Sequence, residues 1–294
     1  MPSKALDFVT MGYAFNKLFE AYPGPCELFG INKEHQAFLA WYDIHREEIS
    51  KLSGLEALAS TKYVDLNAFL KARGFDPMFQ PFAGIGVASV LDMLVEWLHG
   101  AKITTIVQYN MATDQITYYP AFKVPAEGVE LYDVRGFKEP LVRLMTSTGH
   151  SLWLMKADEP ATGIELAILA QHILGSVTGI RHDRWIAGAK VPMLEMDLKP
   201  DLSWMMGLDL IGPILGTQDL DQAFQQFKLR ANERGARVKV ATGFATRSIQ
   251  PLPYEFNDPF IGFFTQPGNN SLAMAAFWAD TDTWRNPEGT LEEL

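Results

Sequence analysis

The sequence predicts an α+β protein, with a helical first third followed by mixed and antiparallel sheets and a long exposed loop near its C-terminal end. Three observations predict this. Apolar residues recur at helical spacing through residues 1–75. From residue 102 onward, short runs of β-branched and aromatic residues alternate with Gly, Pro and Asn turn signals. Helices come first and strands dominate afterwards, which is the α+β pattern and not the strict alternation of α/β folds. Residues 1–78 are read as a helical segment and 79–294 as the α+β core.

Composition narrows the function classes. The chain has 294 residues, enough for one large or two small domains, and 48% of them are hydrophobic. The net charge of -10 and the lack of any basic run argue against a nucleic-acid partner, because phosphate binding needs clustered Lys and Arg. The single cysteine, Cys26, excludes an internal disulfide and fits a reducing compartment. The N-terminal stretch lacks the apolar core and small-residue cleavage site of a signal peptide, and no run of about 18 apolar residues is present. A soluble, cytoplasmic protein is expected, without cofactor, metal or membrane partner.

The elements follow in order. Phe8, Met11, Phe15, Leu18 and Phe19 predict a first helix, and the turn-rich residues 22–30 end it. A second helix fits residues 32–52, with Phe38, Leu39, Tyr42 and Ile49 on one face. A third fits 63–74, with Asp65 as its cap and Gly74 as its stop. His35 and His45 lie ten residues apart, which is not metal-ligand spacing, so they are read as surface or internally satisfied histidines. Residues 79–101 read as an apolar core helix carrying Val87, Val90, Leu91, Leu94, Val95 and Leu98. Gly84-x-Gly86-x-x-Ser89 approaches a dinucleotide fingerprint, but its third position is Ser, it lacks a clear strand–turn–helix context, and no ribose-binding acid is readily placed. Close helix packing explains the small residues better.

Strands are predicted over 102–110, 114–125 and 128–136. A hairpin follows, turning at Ser147-Thr148-Gly149. Gly149-His150-Ser151 lacks the Gly-x-Ser-x-Gly elbow and is read as hairpin chemistry. Residues 157–177 predict a helix with Asp158 and Glu159 at its start and Ile164, Leu166, Leu169 and Ile173 as its stripe; His172 is structural. A strand is expected over 188–199, a short helix over 201–215, and two strands joined by a Pro267-Gly268-Asn269-Asn270 turn. The acidic tail from Trp284 is expected to fray.

One stretch stands apart. Residues 227–264 begin as a strand, pass through Asn232-Glu233-Arg234-Gly235, become a long loop and return as an apolar strand. Loops of this length inside compact domains tend to be functional.

From about residue 137 to 280 the order of signals resembles the C-terminal half of a serpin. Residues 139–160 resemble that family's central hairpin leading into a helix. Residues 183–215 resemble its Val-Pro strand (Val191-Pro192) followed by a short helix. Residues 223–243 resemble the strand and hinge before the reactive loop, with Asn232-Glu233-x-Gly235 and then small residues ending in Ala241-Thr242-Gly243. Phe256…Pro259-Phe260 resembles the strand after the loop, and 89–101 faintly resembles an early core helix ending in Gly100-Ala101. The resemblance covers roughly half the chain.

It implies a protein partner and an exposed bait loop. In inhibitory members a serine protease cuts the loop, and the freed strand inserts into a large sheet and traps the protease. Hinge residues would be Glu233, Gly235, Ala236, Val238, Val240 and Thr242. The last four place small or apolar side chains on one face of a strand, while Arg237, Lys239, Ala241 and Gly243 occupy the other. Arg247-Ser248 is the scissile pair suited to a trypsin-like pocket. The family's usual spacing from Gly235 instead falls nearer Ile249.

Departures from the pattern are also visible. Residues 1–75 have no family counterpart. The interval from Ala101 to Phe137 is short for the family's usual large-sheet strands, and Arg237 and Lys239 stand where inhibitory members prefer small residues. Two functions are therefore expected in competition: an inhibitor of a trypsin-like serine protease, or a non-inhibitory binding or assembly protein that has lost loop insertion. An enzyme is not expected, because no paired carboxylates, phosphate loop or nucleophile elbow stands out.

Overall fold

Capping and an apolar stripe produce the helices of the first third. In the computed structural model, which describes residues 2–22, 24–110, 114–181, 186–213, 216–234, 252–288 and 291, the chain opens with strand β1 (Lys4–Leu6). Asp7 then caps helix α1 (Phe8–Ala21). Its carboxylate accepts the amides of Val9 and Thr10 at 3.2 and 3.1 Å, two donors that a helix start leaves unpaired. Phe8, Met11 and Phe15 are buried as their spacing predicts. Strand β2 (Glu27–Phe29) follows, and Asn32 caps helix α2 (Lys33–Ile49) by accepting the His35 amide at 2.6 Å. The buried face of α2 holds the predicted Phe38, Tyr42 and Ile49, and also His35, Trp41 and His45.

Strand β3 (Leu55–Ser60) leads to α3 (Tyr63–Lys71), which stops before Gly74 at φ 78°. Asp65 is not the α3 cap. Lys62 occupies that position without a side-chain bond, and Asp65 Oδ2 accepts the Ser60 hydroxyl at 2.8 Å.

The core helix expected over 79–101 is absent. Gly86–Leu91 is instead strand β4, antiparallel to β3, with Leu55 opposite Leu91 and Ser60 opposite Gly86. Alternation places Ala88 and Val90 together in a buried cluster with Leu66 and Leu70. A continuous apolar run satisfies the helical and the strand period equally, so the partner strand decides the outcome. Gly84 and Ser89 thus flank and occupy an antiparallel strand. The packing role holds at Gly86, where a Cβ would meet Phe82 Cζ at 2.6 Å and Leu66 Cδ1 at 2.7 Å.

The strands from residue 102 onward form as predicted: β5 (Lys102–Asn110), β6 (Gln115–Val124), β7 (Val129–Val134), β8 (Leu141–Met145) and β9 (Ser151–Lys156). The β8–β9 turn has Gly149 at φ 82°. Helix α4 (Gly163–Gly175) buries Ile164, Leu166 and Ile173. Its cap is Thr162, which accepts the Glu165 amide at 3.1 Å, so Asp158 and Glu159 precede the helix. Glu159 pairs with Lys4 at 2.8 Å.

Strand β10 (Val177–Ile180) is followed by two strands where one was expected, β11 (Ala189–Pro192) and β12 (Leu194–Leu198). The short helix expected over 201–215 is a single 3-10 turn, Ser203–Met205, followed by β13 (Asp209–Gly212). Then come β14 (Gly216–Asp219), β15 (Phe227–Ala231), β16 (Tyr254–Glu255), β17 (Phe260–Gln266) and β18 (Asn269–Ala279), with Gly268 at φ 71° in the predicted last turn. The start of the tail is not frayed. Trp284 is buried against Tyr119 and Phe260, and Arg285 reaches Glu195 at 3.0 Å.

The chain forms two compact units. One takes Met1–Lys4, Leu94–Asp197 and Lys228–Leu294; the other takes Ala5–Met93 and Leu198–Phe227. The first carries a seven-stranded sheet in the order β1-β18-β17-β9-β8-β7-β10, a four-stranded sheet β16-β11-β6-β5, and the pair β12-β15. Its core includes Leu141, Trp153, Met155, Leu166, Ile173, Ile261, Phe263 and Trp278, from α4 and the large sheet. The second unit carries α1, α2 and α3 with the sheets β14-β13-β2 and β3-β4. Phe8, Phe38, Trp41 and Trp204 interlock in it at ring separations of 5.1–6.5 Å. Among the described residues no helix is long and apolar enough to cross a membrane.

Candidate functional site: the frame around residues 235–251

The first unit holds the chain firmly on both sides of residues 235–251. On the entering side, β15 pairs with β12. Glu195 on β12 lies 3.6 Å from Arg230 on β15 and 3.0 Å from Arg285. The chain leaves β15 at Asn232, which is buried. Asn232 Oδ1 accepts the Arg234 amide at 2.8 Å, a local turn bond that asparagine makes readily. The Asn232 carbonyl accepts the indole N–H of Trp97 at 2.8 Å in a buried bond spanning 135 residues. Trp97 lies flat on Phe122, with centroids 5.2 Å apart and planes 20° apart. Its own backbone is tied to the end of β8: the Leu98 amide donates to Met145 O at 3.0 Å, and the Ser147 amide to Glu96 O at 2.8 Å. A stacked tryptophan therefore fixes where the chain departs.

On the returning side, Leu252 is 82% exposed, yet its carbonyl accepts the Ala187 amide at 3.2 Å. The Tyr254 amide then donates to Gly188 O and the Phe256 amide to Lys190 O, both at 2.9 Å, so β16 runs parallel to β11. Gly188 has φ 104°, and a Cβ there would fall 2.0 Å from the Val124 carbonyl. Only glycine fits this approach. Side chains add further bonds. Tyr254 Oη donates to Glu139 Oε2 at 2.6 Å, and Lys190 pairs with Glu255 at 2.8 Å. Lys156 donates to Asn257 at 2.5 Å and pairs with Asp258 at 3.0 Å. Burial pushes the Tyr254 phenol well above its usual range, and the adjacent Glu139 carboxylate adds to the shift. Tyr254 thus stays neutral and serves as a donor. Phe256, fully buried, packs on Phe260 at 5.1 Å and closes the anchor.

Of the residues singled out from sequence, Glu233 lies half-buried at the end of the entering anchor, with its carboxylate 3.9 Å from Arg234 Nε. Gly235, Ala236, Val238, Val240, Thr242 and the pair Arg247–Ser248 lie outside the described residues, as do Arg237, Lys239 and Ile249. Ser151 opens β9, and its hydroxyl accepts Arg143 Nε at 2.8 Å, while His150 Nδ1 faces the Thr148 hydroxyl at 2.9 Å. These bonds are those of a hairpin end. His35 and His45 are both buried. His35 Nδ1 accepts the Ile31 amide at 3.2 Å and His45 Nδ1 lies 3.4 Å from Glu48. Among the described residues no group of three or more His, Cys, Asp and Glu side chains is placed to hold a metal.

The frame residues that sequence reasoning missed include Trp97, Glu139, Gly188 and Tyr254. Trp97 was assigned to a helix. Gly188, directly before the Val191-Pro192 strand, was the one legible signal, since glycine at a strand start often marks close backbone approach.

No family model and no curated protein matches the chain. Solved structures do. The chain is similar to Serpin48, a highly specific serpin of the insect Tenebrio molitor, with a TM-score of 0.53 and 9% identity over 92% of this chain and 96% of that one. It is similar to mouse protein-Z-dependent protease inhibitor, with a TM-score of 0.50 and 10% identity over 92% and 96%. It is also similar to thyroxine-binding globulin in complex with thyroxine, with a TM-score of 0.55 and 9% identity over 94% and 92%. At these identities the likeness establishes the fold, which is serpin-like α+β.

Proposed function

We propose that this protein presents residues 235–251 as bait to a trypsin-like serine protease, with Arg247–Ser248 as the scissile pair. The observation that carries the proposal is the double anchor. The stretch leaves from a carbonyl pinned by Trp97 and returns into a parallel strand pinned at Gly188 and Tyr254. Fixing both ends lowers the entropy a protease must remove when it binds an extended substrate segment. An arginine within such a stretch suits a specificity pocket that holds its guanidinium with an acid. The serpin-like fold is consistent with this role, and a protease inhibitor is among the solved neighbours.

A second reading is a non-inhibitory binding protein. It is favoured by Arg237 and Lys239, whose charged side chains would have to enter a sheet if the cut strand inserted. A thyroxine-binding globulin also stands among the neighbours.

Trypsin at equimolar ratio tests both readings, with denaturing gels, mass spectrometry of the fragments and the melting temperature of the cut protein. A first cut after Arg247 with a gel-stable covalent complex supports inhibition. A first cut there without a complex, and without a rise in melting temperature, supports the second reading. A first cut outside 235–251, or an unchanged cutting pattern in Arg247→Ala, overturns the bait assignment.

A further inference from the structure

The β5–β6 hairpin carries a feature that the loop frame does not use. Its inner face is occupied: Ile106 is fully buried and Gln108 Nε2 donates to the Asn257 carbonyl at 2.7 Å. The outer face should be polar if it met only water, because a half-solvated antiparallel sheet alternates apolar-in and polar-out. It is apolar instead. Ile103, Val107 and Tyr109 on β5 and Ile116 and Tyr118 on β6 are each between 45% and 70% exposed. Val107 stands opposite Tyr118 and Tyr109 opposite Ile116, while Ile103 stands opposite the buried Phe122 and continues the same face of β5, so the five side chains line one face. Thr105 and Pro120, also paired, fill its middle without adding charge. Strand β5 is the edge of its sheet and carries no charged residue, proline or bulge from Ile103 to Tyr109, the devices that usually guard an edge.

From these observations we infer that the outer face of the β5–β6 hairpin docks against the same face of a second copy of this chain. Area supports the assignment. At roughly 150–250 Å² for a large side chain fully in water, five side chains at these exposures present on the order of 500 Å² per copy. Two copies then remove about 1,000 Å², the size at which a specific interface begins. Charge supports it too. Two copies of a chain of net charge -10 repel, and they approach at least cost over a face whose charge, the Asp114 carboxylate that accepts the Tyr109 hydroxyl, sits at one end. Homodimer interfaces are more apolar than those with exchangeable partners, and a twofold axis needs only a patch complementary to itself. Two twisted sheets packing face to face meet this requirement with side chains interdigitated.

The test is sedimentation equilibrium on the full chain, independent of the protease assay. The wild-type protein is expected to be dimeric in the micromolar range. Tyr118→Glu and, separately, Val107→Glu should weaken the dimer at least tenfold, while Ile44→Glu, at an exposed position on α2, should not. Unchanged melting temperatures would show that the variants fold. In a Cys26→Ser background, Thr105→Cys should crosslink two chains on oxidation. A monomer at about 100 µM overturns the inference and assigns the face to a different protein. A dimer that survives both glutamate substitutions overturns it as well.

Discussion

Gly188→Ala separates backbone strain from steric overlap at the returning anchor. Gly188 has φ 104°, where an L side chain costs about 1–2 kcal/mol. A Cβ there would lie 2.0 Å from Val124 O, 2.9 Å from the Pro125 carbonyl carbon and 3.1 Å from the Ala126 nitrogen. All three are backbone atoms, so no rotamer change relieves the overlap, and forcing an extra carbon into packed structure costs roughly another 1–3 kcal/mol. The total is about 2–5 kcal/mol, a large share of a domain's stability. Two controls isolate the terms. Gly136 has φ 88° with nothing within 4 Å of its Cβ position, so Gly136→Ala should show the strain term alone, about 1–2 kcal/mol. Gly175, at the end of α4, has open space and no positive φ, so Gly175→Ala should be neutral or stabilise by up to about 1 kcal/mol. Urea unfolding at constant m measures all three. Gly188→Ala within about 0.5 kcal/mol of Gly136→Ala would refute the claim that the Val124 carbonyl excludes a side chain.

Three further outcomes are expected. Gly262→Ala places a carbon 2.2 Å from the Phe277 ring in a fully buried part of the large sheet, so it should destabilise by roughly 1–3 kcal/mol, and Phe277→Leu in the same chain should recover part of that loss in a double-mutant cycle. Trp97→Phe removes the donor to the Asn232 carbonyl and should cost about 1–3 kcal/mol in urea unfolding; no loss would mean that the stacked indole does not hold the entering anchor. Tyr254 and Tyr42 both have phenols raised by burial, Tyr42 to about 12, so the folded state holds these protons more tightly than the unfolded chain. Stability from both is complete below the unfolded tyrosine range near pH 10 and falls as the pH rises above it. Tyr254→Phe should therefore lessen the alkaline loss measured from pH 9 to 11, and an identical loss in the variant would contradict the raised phenol of the half-buried Tyr254.

Local signals carried much of the fold. Helices α1 and α2 were legible because an apolar stripe at helical spacing is encoded within a few turns of chain, whereas their caps, Asp7 and Asn32, emerged only in the structure. The hairpins β8–β9 and β17–β18 were legible because alternation and a glycine turn are equally local, and β5 and β6 were legible as strands by their β-branched and aromatic residues. Residues 79–101 failed because an apolar run fits either period, and the partner β3 lies some thirty residues earlier in the chain. The 3-10 turn and β13 failed for the same reason, since β13 exists only by pairing with β2 and β14.

By itself the sequence determined the α+β class, most element positions in the β-rich part, and the order of signals that resembles a serpin around residues 235–251. The first two rest on short-range periodicity, alternation and turn chemistry, and the third on the motifs at Val191-Pro192, Asn232-Glu233-x-Gly235 and Pro259-Phe260. Only the tertiary structure decided which residues hold that stretch. Trp97 reaches Asn232 across 135 residues, Tyr254 reaches Glu139 across 115, and Gly188 is required by a carbonyl more than sixty positions away. The same holds for the apolar face of β5–β6. The alternation was visible in the sequence, but which side met the core depended on Asn257 and its neighbours arriving from the far end of the chain. Such contacts are fixed by packing in three dimensions, and no periodicity along the chain records them.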